Sequence, residues 1–191
     1  VFAKKINLAE DWVQPEKDSI SLKQGEEAKI NFNIHIPENA PSGSYYLGLI
    51  VQELNSSEIG FGISGQLSSI LFLQVSGEAK ENLEILNWQK IDSEDSCIFD
   101  LKIKNNGNVE FTLSGLLKIK NWRGEVVEEK VIDFGKNLLA QTERDFKIFS
   151  SVNSFWPMVY KADILINYGQ TKQLISRSVN FIYLPIWFRV F

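Results

Sequence analysis

A turn rich in proline and glycine, set between two strand-like segments, constrains the fold of this chain more than any other feature. Residues 36–48 contain an apolar stretch ending at Ile36, a turn with Pro37, Pro41 and Gly43, and a second apolar stretch that begins with paired tyrosines. Residues 104–111 repeat this arrangement around an Asn-Asn-Gly-Asn turn. Strands joined by such turns are typical of antiparallel sandwiches. We therefore predict an all-β fold with two consecutive β-sandwich domains.

The length of the chain fits this division. A chain of 191 residues can form one large domain or two of about 75 to 110 residues, a size at which a sandwich buries its own core. We predict a first sandwich over residues 1–77, a second, immunoglobulin-like sandwich over residues 78–184 and a juxtamembrane or C-terminal tail over residues 185–191. The chain starts at Val1 instead of methionine, which allows a first sandwich truncated at its N-terminus.

Charge and cysteine content exclude several classes of function. The net charge is −4, with both signs interspersed along the chain. Nucleic-acid-binding proteins carry clustered positive charge, so we expect no nucleic-acid partner. Cys97 is the only cysteine and His35 the only histidine, whereas zinc sites and nucleophilic triads need several converging groups. We predict no cofactor, no metal site and no catalytic residue, and hence a protein that is not an enzyme.

The strand pattern of the first module rests on alternation of apolar and polar side chains. Residues 19–23 predict a short strand, and residues 24–27 a turn after it. In residues 30–36 every second side chain is apolar, which predicts a strand with one buried face. Residues 45–51 are apolar on both faces and predict a central strand, and residues 68–75 predict the last strand. The apolar face of the second predicted strand consists of Ile30, Phe32, Ile34 and Ile36.

The second module contains about seven candidate strands. They cover residues 83–88, 97–104, 109–113 with 117–121, 126–134, 142–149, 158–167 and 173–183. The third candidate predicts one long strand that is bent or bulged near Gly115. Helical periodicity is confined to residues 137–141. In the second candidate strand the side chains predicted to point inward are Cys97, Phe99, Leu101 and Ile103.

The remaining polar motifs each have a simpler interpretation than a functional one. His35 falls on the polar side of its strand and predicts an exposed surface residue. Residues 92–95 place three carboxylates in one loop, but the spacing matches no calcium loop, and a solvated turn is the better interpretation. Residues 55–57 match a glycosylation sequon, which we interpret as chance. Cys97, on an apolar face, predicts a buried and unreactive thiol.

Aromatic side chains are the best candidates for a binding role. Exposed rings stack on sugar rings or anchor protein partners, although most aromatic side chains of a sandwich belong to its core. We single out Tyr46, Trp122 and Trp156 as binding candidates. For residues 155–157 we weigh the alternative that they cover an open end of the second module. The wider set of candidates is Tyr45, Tyr46, Trp122, Phe155, Trp156, Trp187 and Phe188.

Both modules resemble a known family in their turn motifs. Residues 12–15, 20–27 and 36–46 look like the first module of bacterial surface proteins of the WxL-interacting type. Residues 106–109, with Gly115, Ile119 and Gly124, are similar to the immunoglobulin-like module that often follows. The resemblance covers nearly the whole chain. One departure is that Gln24 precedes Gly25 where the family usually has proline.

The resemblance implies a non-enzymatic bacterial protein of the cell surface or envelope with tandem immunoglobulin-like domains. It implies an extracytoplasmic location, binding to peptidoglycan, another cell-wall polymer or a surface protein, and a membrane anchor beyond Phe191. The aromatic tail after Tyr183 would then approach the membrane, with tryptophan at the interface. Two alternatives stay open at this point: a periplasmic-type assembly chaperone that pairs an edge strand with its partner, and an accessory sandwich module of a carbohydrate-active protein.

Overall fold

A computed structural model shows that the chain is all-β and divides into two compact units. The units are Val1–Glu78 and Ala79–Phe191. The structure describes residues 2–4, 9–53, 65–91, 97–135 and 137–189. The described residues include no helix long and apolar enough to cross a membrane.

Among its described residues, unit 1 has five strands in two small antiparallel sheets. The strands are β1 (Phe2–Lys4), β2 (Val13–Pro15), β3 (Phe32–Ile34), β4 (Gly43–Gln52) and β5 (Gln66–Val75), with a short 3-10 helix at Glu10–Trp12. One sheet has the order β1-β4-β5, and the other pairs β2 with β3. The sequence prediction of a central strand over residues 45–51 is confirmed, since β4 has a neighbour on both edges. Strand β5 confirms the predicted last strand.

The proline-containing corner of unit 1 is built around a tyrosine. The hydroxyl of Tyr45 donates a hydrogen bond of 2.8 Å to the carbonyl of Pro41, four residues upstream. The ring of Tyr45 packs against Trp12, with 4.6 Å between ring centroids. Immunoglobulin-like sandwiches use the same device, a tyrosine hydroxyl that returns to nearby backbone. The corner motif therefore has a structural role in fixing the start of β4.

Two strand predictions in unit 1 are wrong in part. Residues 19–23 form no strand, and only the turn after them is present, closed by a hydrogen bond of 3.0 Å from Glu26 N to the Lys23 carbonyl. The strand predicted over residues 30–36 is limited to β3. Of its predicted buried face only Phe32 packs on the core, whereas Ile34 and Ile36 are exposed. Alternation determines which side chains share a face, but a second layer must cover that face before it is buried.

The described residues of unit 2 form seven long strands in two antiparallel sheets. The strands are β6 (Leu83–Ile91), β7 (Cys97–Asn105), β8 (Leu113–Asn121), β9 (Val126–Asp133), β10 (Glu143–Ser150), β11 (Met158–Tyr168) and β12 (Gln173–Tyr183). One sheet has the order β10-β7-β6 and the other β12-β11-β8-β9. The first, second and fifth strands of the unit therefore form one layer, and the other four form the second layer. This is an immunoglobulin-like arrangement in which the fourth strand pairs with the third.

The core of unit 2 lies between these two sheets. On β7, Cys97, Phe99, Leu101 and Ile103 are all buried, which confirms the inward face predicted from their alternation. Full burial of such side chains contributes about 1.5–3 kcal/mol each. The facing side chains of the other sheet are equally buried. They include Leu117, Ile119, Ile164 and Ile166.

The third strand of unit 2 differs from the prediction. Strand β8 is continuous through Gly115, which pairs with Ile166 on one side and Ile132 on the other. A Cβ atom at Gly115 would lie 2.8 Å from the ring of Phe134, so the glycine makes room for that ring and does not bend the strand. The irregularity in β8 lies instead between Ile119 and Lys120, against β9.

Two loops next to β8 also differ from their predicted structure. Residues 109–112 precede the strand, and Phe111 forms an isolated bridge with Leu138. The helical period suggested for residues 137–141 therefore does not produce a helix, because the backbone of Leu138 exchanges hydrogen bonds with Phe111 instead. Both residues are buried in the core.

The asparagine-glycine corner closes the end of unit 2 at which β7 stops. Asn105 is fully buried. Its side-chain amide donates to the carbonyls of Val109 (2.8 Å) and Leu138 (3.2 Å), and its Oδ1 accepts from Gly107 N (2.8 Å). A Cβ atom at Gly107 would collide with the carbonyl oxygen of Lys80. The second corner motif is thus a structural plug: the buried Asn105 side chain holds it together by hydrogen bonds, and position 107 has space only for glycine.

Candidate binding surface

Four aromatic side chains form an exposed cluster at the other end of unit 2. Phe155 and Trp156 lie in the loop before β11, and Trp187 and Phe188 lie in the short 3-10 helix Ile186–Arg189 after β12. Phe155 is 71% exposed and Trp156 64%, and the other two are also on the surface. We call these four residues the aromatic cluster.

The rings of the aromatic cluster contact one another. Trp187 is central, with its ring centroid 5.5 Å from Phe155, 5.8 Å from Trp156 and 5.8 Å from Phe188. The Phe155 and Trp156 rings meet edge to face at 5.3 Å. Aromatic pairs at such distances stabilise one another by about 0.5–1.5 kcal/mol. The four rings are therefore packed against one another, and their ring faces point in several directions.

Hydrogen bonds hold the two segments of the cluster together. The indole N–H of Trp187 donates to the carbonyl of Phe155 at 3.0 Å. The hydroxyl of Tyr183 donates to Asn153 Oδ1 at 3.0 Å, and Ser154 Oγ donates to the Trp156 carbonyl at 2.8 Å. With the indole N–H satisfied in this way, the aromatic faces are left as the accessible part of the surface.

The β-sheet brings these segments together. Met158, at the start of β11, pairs with Tyr183 at the end of β12. The loop before β11 and the 3-10 helix after β12 therefore lie next to each other. Asn121, at the end of β8, pairs with Tyr160 close to the start of β11. Trp122 follows Asn121 and therefore lies at the same end of the sheet.

The three singled-out binding candidates have different surroundings. Tyr46 is only 7% exposed and packs on Phe72, with 5.0 Å between ring centroids. It therefore presents little surface to a partner. Trp122 is exposed, and the Arg123 guanidinium lies 4.8 Å from its ring centroid. Trp156 belongs to the aromatic cluster, so Trp122 and Trp156 share one end of unit 2 and Tyr46 lies in unit 1.

The loop of residues 155–157 lies at an end of the sandwich, as weighed from the sequence, but its rings do not become buried there. Phe155 and Trp156 pack sideways on Trp187 and keep most of their surface in contact with solvent. A run of aromatic residues in a loop, followed by a second run after the last strand, was the available sequence signal. The contact between the two runs depends on strand pairing and could not be derived from either run alone.

The other candidate residues are placed as follows. His35 is exposed, as expected. Cys97 is buried, and burial raises the pKa of its thiol to about 11, as expected for an unreactive cysteine. The acidic residues 92–95 and the sequon at 55–57 lie outside the described residues. Where side chains are described, they include no group of three or more potential metal ligands.

A cleft in unit 1 is a second surface feature. It has a volume of about 670 Å³ and lies between residues 17–22 and the adjoining ends of β4 and β5. Much of its wall is apolar, and Lys17 and Asp18 also line it. The apolar wall consists of Ile20, Leu22, Ile30, Val51 and Leu67.

Comparisons with known proteins give a weak structural likeness. No protein-family model matches the chain, and no curated protein matches it in sequence. A β-glucuronidase from Parabacteroides merdae is 15% identical with a TM-score of 0.29, covering 63% of this chain and 16% of that structure. Bacteroides uniformis β-glucuronidase 2 is 11% identical with a TM-score of 0.36, covering 95% and 32%. The chain thus spans a third or less of either structure, and a likeness this weak carries no argument about function.

Proposed function

We propose that this chain is a non-enzymatic binding module of the bacterial cell envelope, and that the aromatic cluster holds a cell-wall polymer. The observation that carries the proposal is the exposure of Phe155, Trp156 and Phe188 around a central Trp187. Exposed rings held in place are costly to leave in water and are the usual anchors of binding surfaces. The sandwich of unit 2 serves as the scaffold that presents this surface.

Glycan is the ligand class that the cluster fits best. The face of an aromatic ring is negatively polarised, and the C–H bonds on one face of a sugar ring are weakly positive, so the two stack. The loop also places two polar side chains beside the rings, the Ser154 hydroxyl and the Asn153 amide. A polymer of sugars could contact several facets of the cluster at once, because its rings point in different directions.

The proposal includes an extracytoplasmic location and a membrane anchor beyond Phe191. Its support is the resemblance of the two turn motifs to bacterial surface modules, together with the position of the cluster. The aromatic cluster lies at the end of unit 2 from which the chain leaves β12. Tryptophan at that place suits the interface between a membrane and the wall above it.

Sedimentation with purified peptidoglycan sacculi tests the binding. We expect the wild-type chain to sediment with sacculi, and Trp156→Ala to bind about tenfold more weakly or worse, as for an anchor worth about 1.4 kcal/mol or more. Phe149→Ala is the matched control, because Phe149 is an exposed aromatic residue on β10 outside the cluster, and it should bind as wild type. Circular dichroism confirms that both variants are folded.

Three outcomes would count against the proposal. Equal sedimentation of Trp156→Ala and wild type would remove the cluster from the binding site. No sedimentation with sacculi, but binding to intact cells that disappears after protease treatment of those cells, would replace the polymer with a surface protein. Failure to bind sacculi or cells would contradict a binding function in the envelope. Location is tested separately, by digestion of the native protein with protease added to intact cells.

A further inference from the structure

Strand β5 is an outer strand without the features that normally protect one. Its ten residues, Gln66–Val75, form the edge of the β1-β4-β5 sheet. None of the ten is charged or proline, in a chain of which 23% is charged. The other long outer strands each carry charge, for example Lys130 on β9 and Lys147 on β10. Natural proteins use charged residues and proline to stop outer strands from pairing with other chains, and β5 lacks both.

Two large apolar side chains of β5 are mostly exposed to solvent. Ile70 is 80% exposed and Leu67 is 74% exposed. The residue that pairs with Ile70 on β4 is Gly48, and no atom lies within 4 Å of where a Cβ would be at that glycine. Ile70 therefore has no side chain beside it on the β4 side. An added strand on the outer edge would supply the missing neighbour.

The sequence of β5 matches itself in the antiparallel direction at three of five distinct pairings, and at the other two a serine lies opposite Phe72 or Leu71. When two copies are aligned about Ile70, Gln66 lies opposite Gln74, Leu67 opposite Leu73, and Ile70 opposite Ile70. In this register the exposed Leu67 lies beside Leu73, which packs on the core of unit 1. Directly opposed apolar pairs in antiparallel strands stabilise the pairing.

We propose that β5 pairs with β5 of a second copy of this chain, antiparallel, around a two-fold axis at Ile70. The two three-stranded sheets then form one continuous sheet of order β1-β4-β5-β5-β4-β1. A symmetric dimer uses the same surface on both subunits, and the self-complementary register of β5 satisfies this requirement. One strand pair buries less than about 1,200 Å², the size of weak complexes, so the dimer is concentration-dependent.

Site-directed disulfide formation tests both the pairing and its register. In the proposed dimer the two copies of residue 70 face each other, with Cα atoms about 4.5–5.5 Å apart, a distance that a disulfide spans. Ile70→Cys should form covalent dimers under mild oxidation. Ser68→Cys is the matched control, because each residue 68 lies opposite Phe72 and is about 13 Å from its own copy. The native Cys97 is buried and does not compete.

Sedimentation velocity over a range of concentrations gives an independent readout. We expect wild type to pass from monomer to dimer as concentration rises, Ile70→Lys to stay monomeric, and Trp156→Ala to behave as wild type. Loss of the dimer in Trp156→Ala would assign the interface to the aromatic cluster and overturn the proposal. Equal cross-linking of Ser68→Cys and Ile70→Cys, or a wild-type chain that is monomeric at every concentration, would overturn it too. In the latter case β5 is free to pair with a strand of a different protein, which peptide binding would then show.

Discussion

The indole N–H of Trp88 donates a hydrogen bond of 3.1 Å to the backbone carbonyl of Ala162. Trp88 lies on β6 and Ala162 on β11, so this bond joins the two sheets of unit 2. Both residues are buried. The Trp88 ring also stacks on Phe99, with 5.0 Å between centroids. One side chain thus combines core packing with a polar link between the two layers of the sandwich.

Replacement of Trp88 by phenylalanine separates these two contributions. Trp88→Phe keeps an aromatic ring beside Phe99 but removes the donor to the Ala162 carbonyl, and it leaves a small void. We expect the free energy of unfolding to fall by about 1–3 kcal/mol, because a buried hydrogen bond and part of the ring packing are lost. Urea denaturation followed by circular dichroism measures this. Trp122→Phe, at an exposed position, is the control and should change stability by no more than about 0.5 kcal/mol. An equal effect of both variants would contradict the role of the hydrogen bond.

Asn105 is the second buried polar side chain whose loss we expect to be costly. Asn105→Ala removes the side-chain donor to the Val109 carbonyl and the acceptor of the Gly107 N–H. It also removes a second donor to the Leu138 carbonyl, which still accepts from Phe111 N. Each orphaned buried group costs about 1–3 kcal/mol, although solvent entering the corner lowers the sum. We predict a loss of about 2–4 kcal/mol of unfolding free energy. Asn106→Ala, which removes only a surface bond to Glu84, should be close to neutral. A stable Asn105→Ala variant would show that the corner is not a structural plug.

The sequence predicted unit 2 better than unit 1, and the reason is physical. Alternation on β7 correctly indicated Phe99 and Leu101 as core residues, because a second sheet covers that face. The same alternation around β3 failed for Ile34 and Ile36, which are exposed. A period of two specifies which side chains share a face. It contains no information on whether another layer lies over that face.

The aromatic cluster shows a second limit of sequence analysis. Trp156 and Trp187 could each be picked out as candidates, but they are about thirty residues apart in the chain. Their contact follows from the pairing of Met158 with Tyr183. Tyr46, chosen with them, is buried instead. Long-range register, and not residue type, decides which aromatic side chains meet on the surface.

Gly115 makes the packing of Phe134 possible, which leads to a third prediction. Gly115→Ala would place a Cβ 2.8 Å from the Phe134 ring, and overpacking of a core costs about 1–3 kcal/mol. We expect a loss of that size in thermal or chemical unfolding. Gly48→Ala is the matched control, since it is also a strand glycine but has open space around the added atom. A neutral Gly115→Ala would mean that the Phe134 ring moves aside without cost.

Cys97 should be protected from thiol reagents as long as unit 2 is folded. Burial raises the pKa of its thiol to about 11, and the reactive thiolate is then scarce at neutral pH. We expect labelling by a maleimide to be slow in buffer and at least about tenfold faster in denaturant. Mass spectrometry of timed samples measures both rates. Rapid labelling of the native chain would contradict this and would require the Cys97 background to be removed before any cross-linking at Ile70.

Asp163 makes the stability of unit 2 depend on pH in the acidic range. Burial by itself would raise the pKa of its carboxyl. It is outweighed by a hydrogen bond of 2.6 Å from Ser178 and one of 2.9 Å from Lys120, with Lys161 nearby, and the pKa is held below its ordinary value of 3.8. A carboxyl whose pKa is lowered by folding contributes stability above its unfolded pKa, and that contribution is lost as pH falls through the lowered native value.

We therefore predict that Asp163→Asn is less stable than wild type at pH 7, and that the difference shrinks as pH falls below about 4. Denaturation curves at several pH values between neutral and strongly acidic measure it. Glu129→Gln is the control, because its ion pair with Lys118 is at the surface, 3.4 Å long and largely exposed, and such pairs contribute about 0–1 kcal/mol. A difference between Asp163→Asn and wild type that is the same at every pH would show that shape, and not charge, is what Asp163 supplies to the sheet.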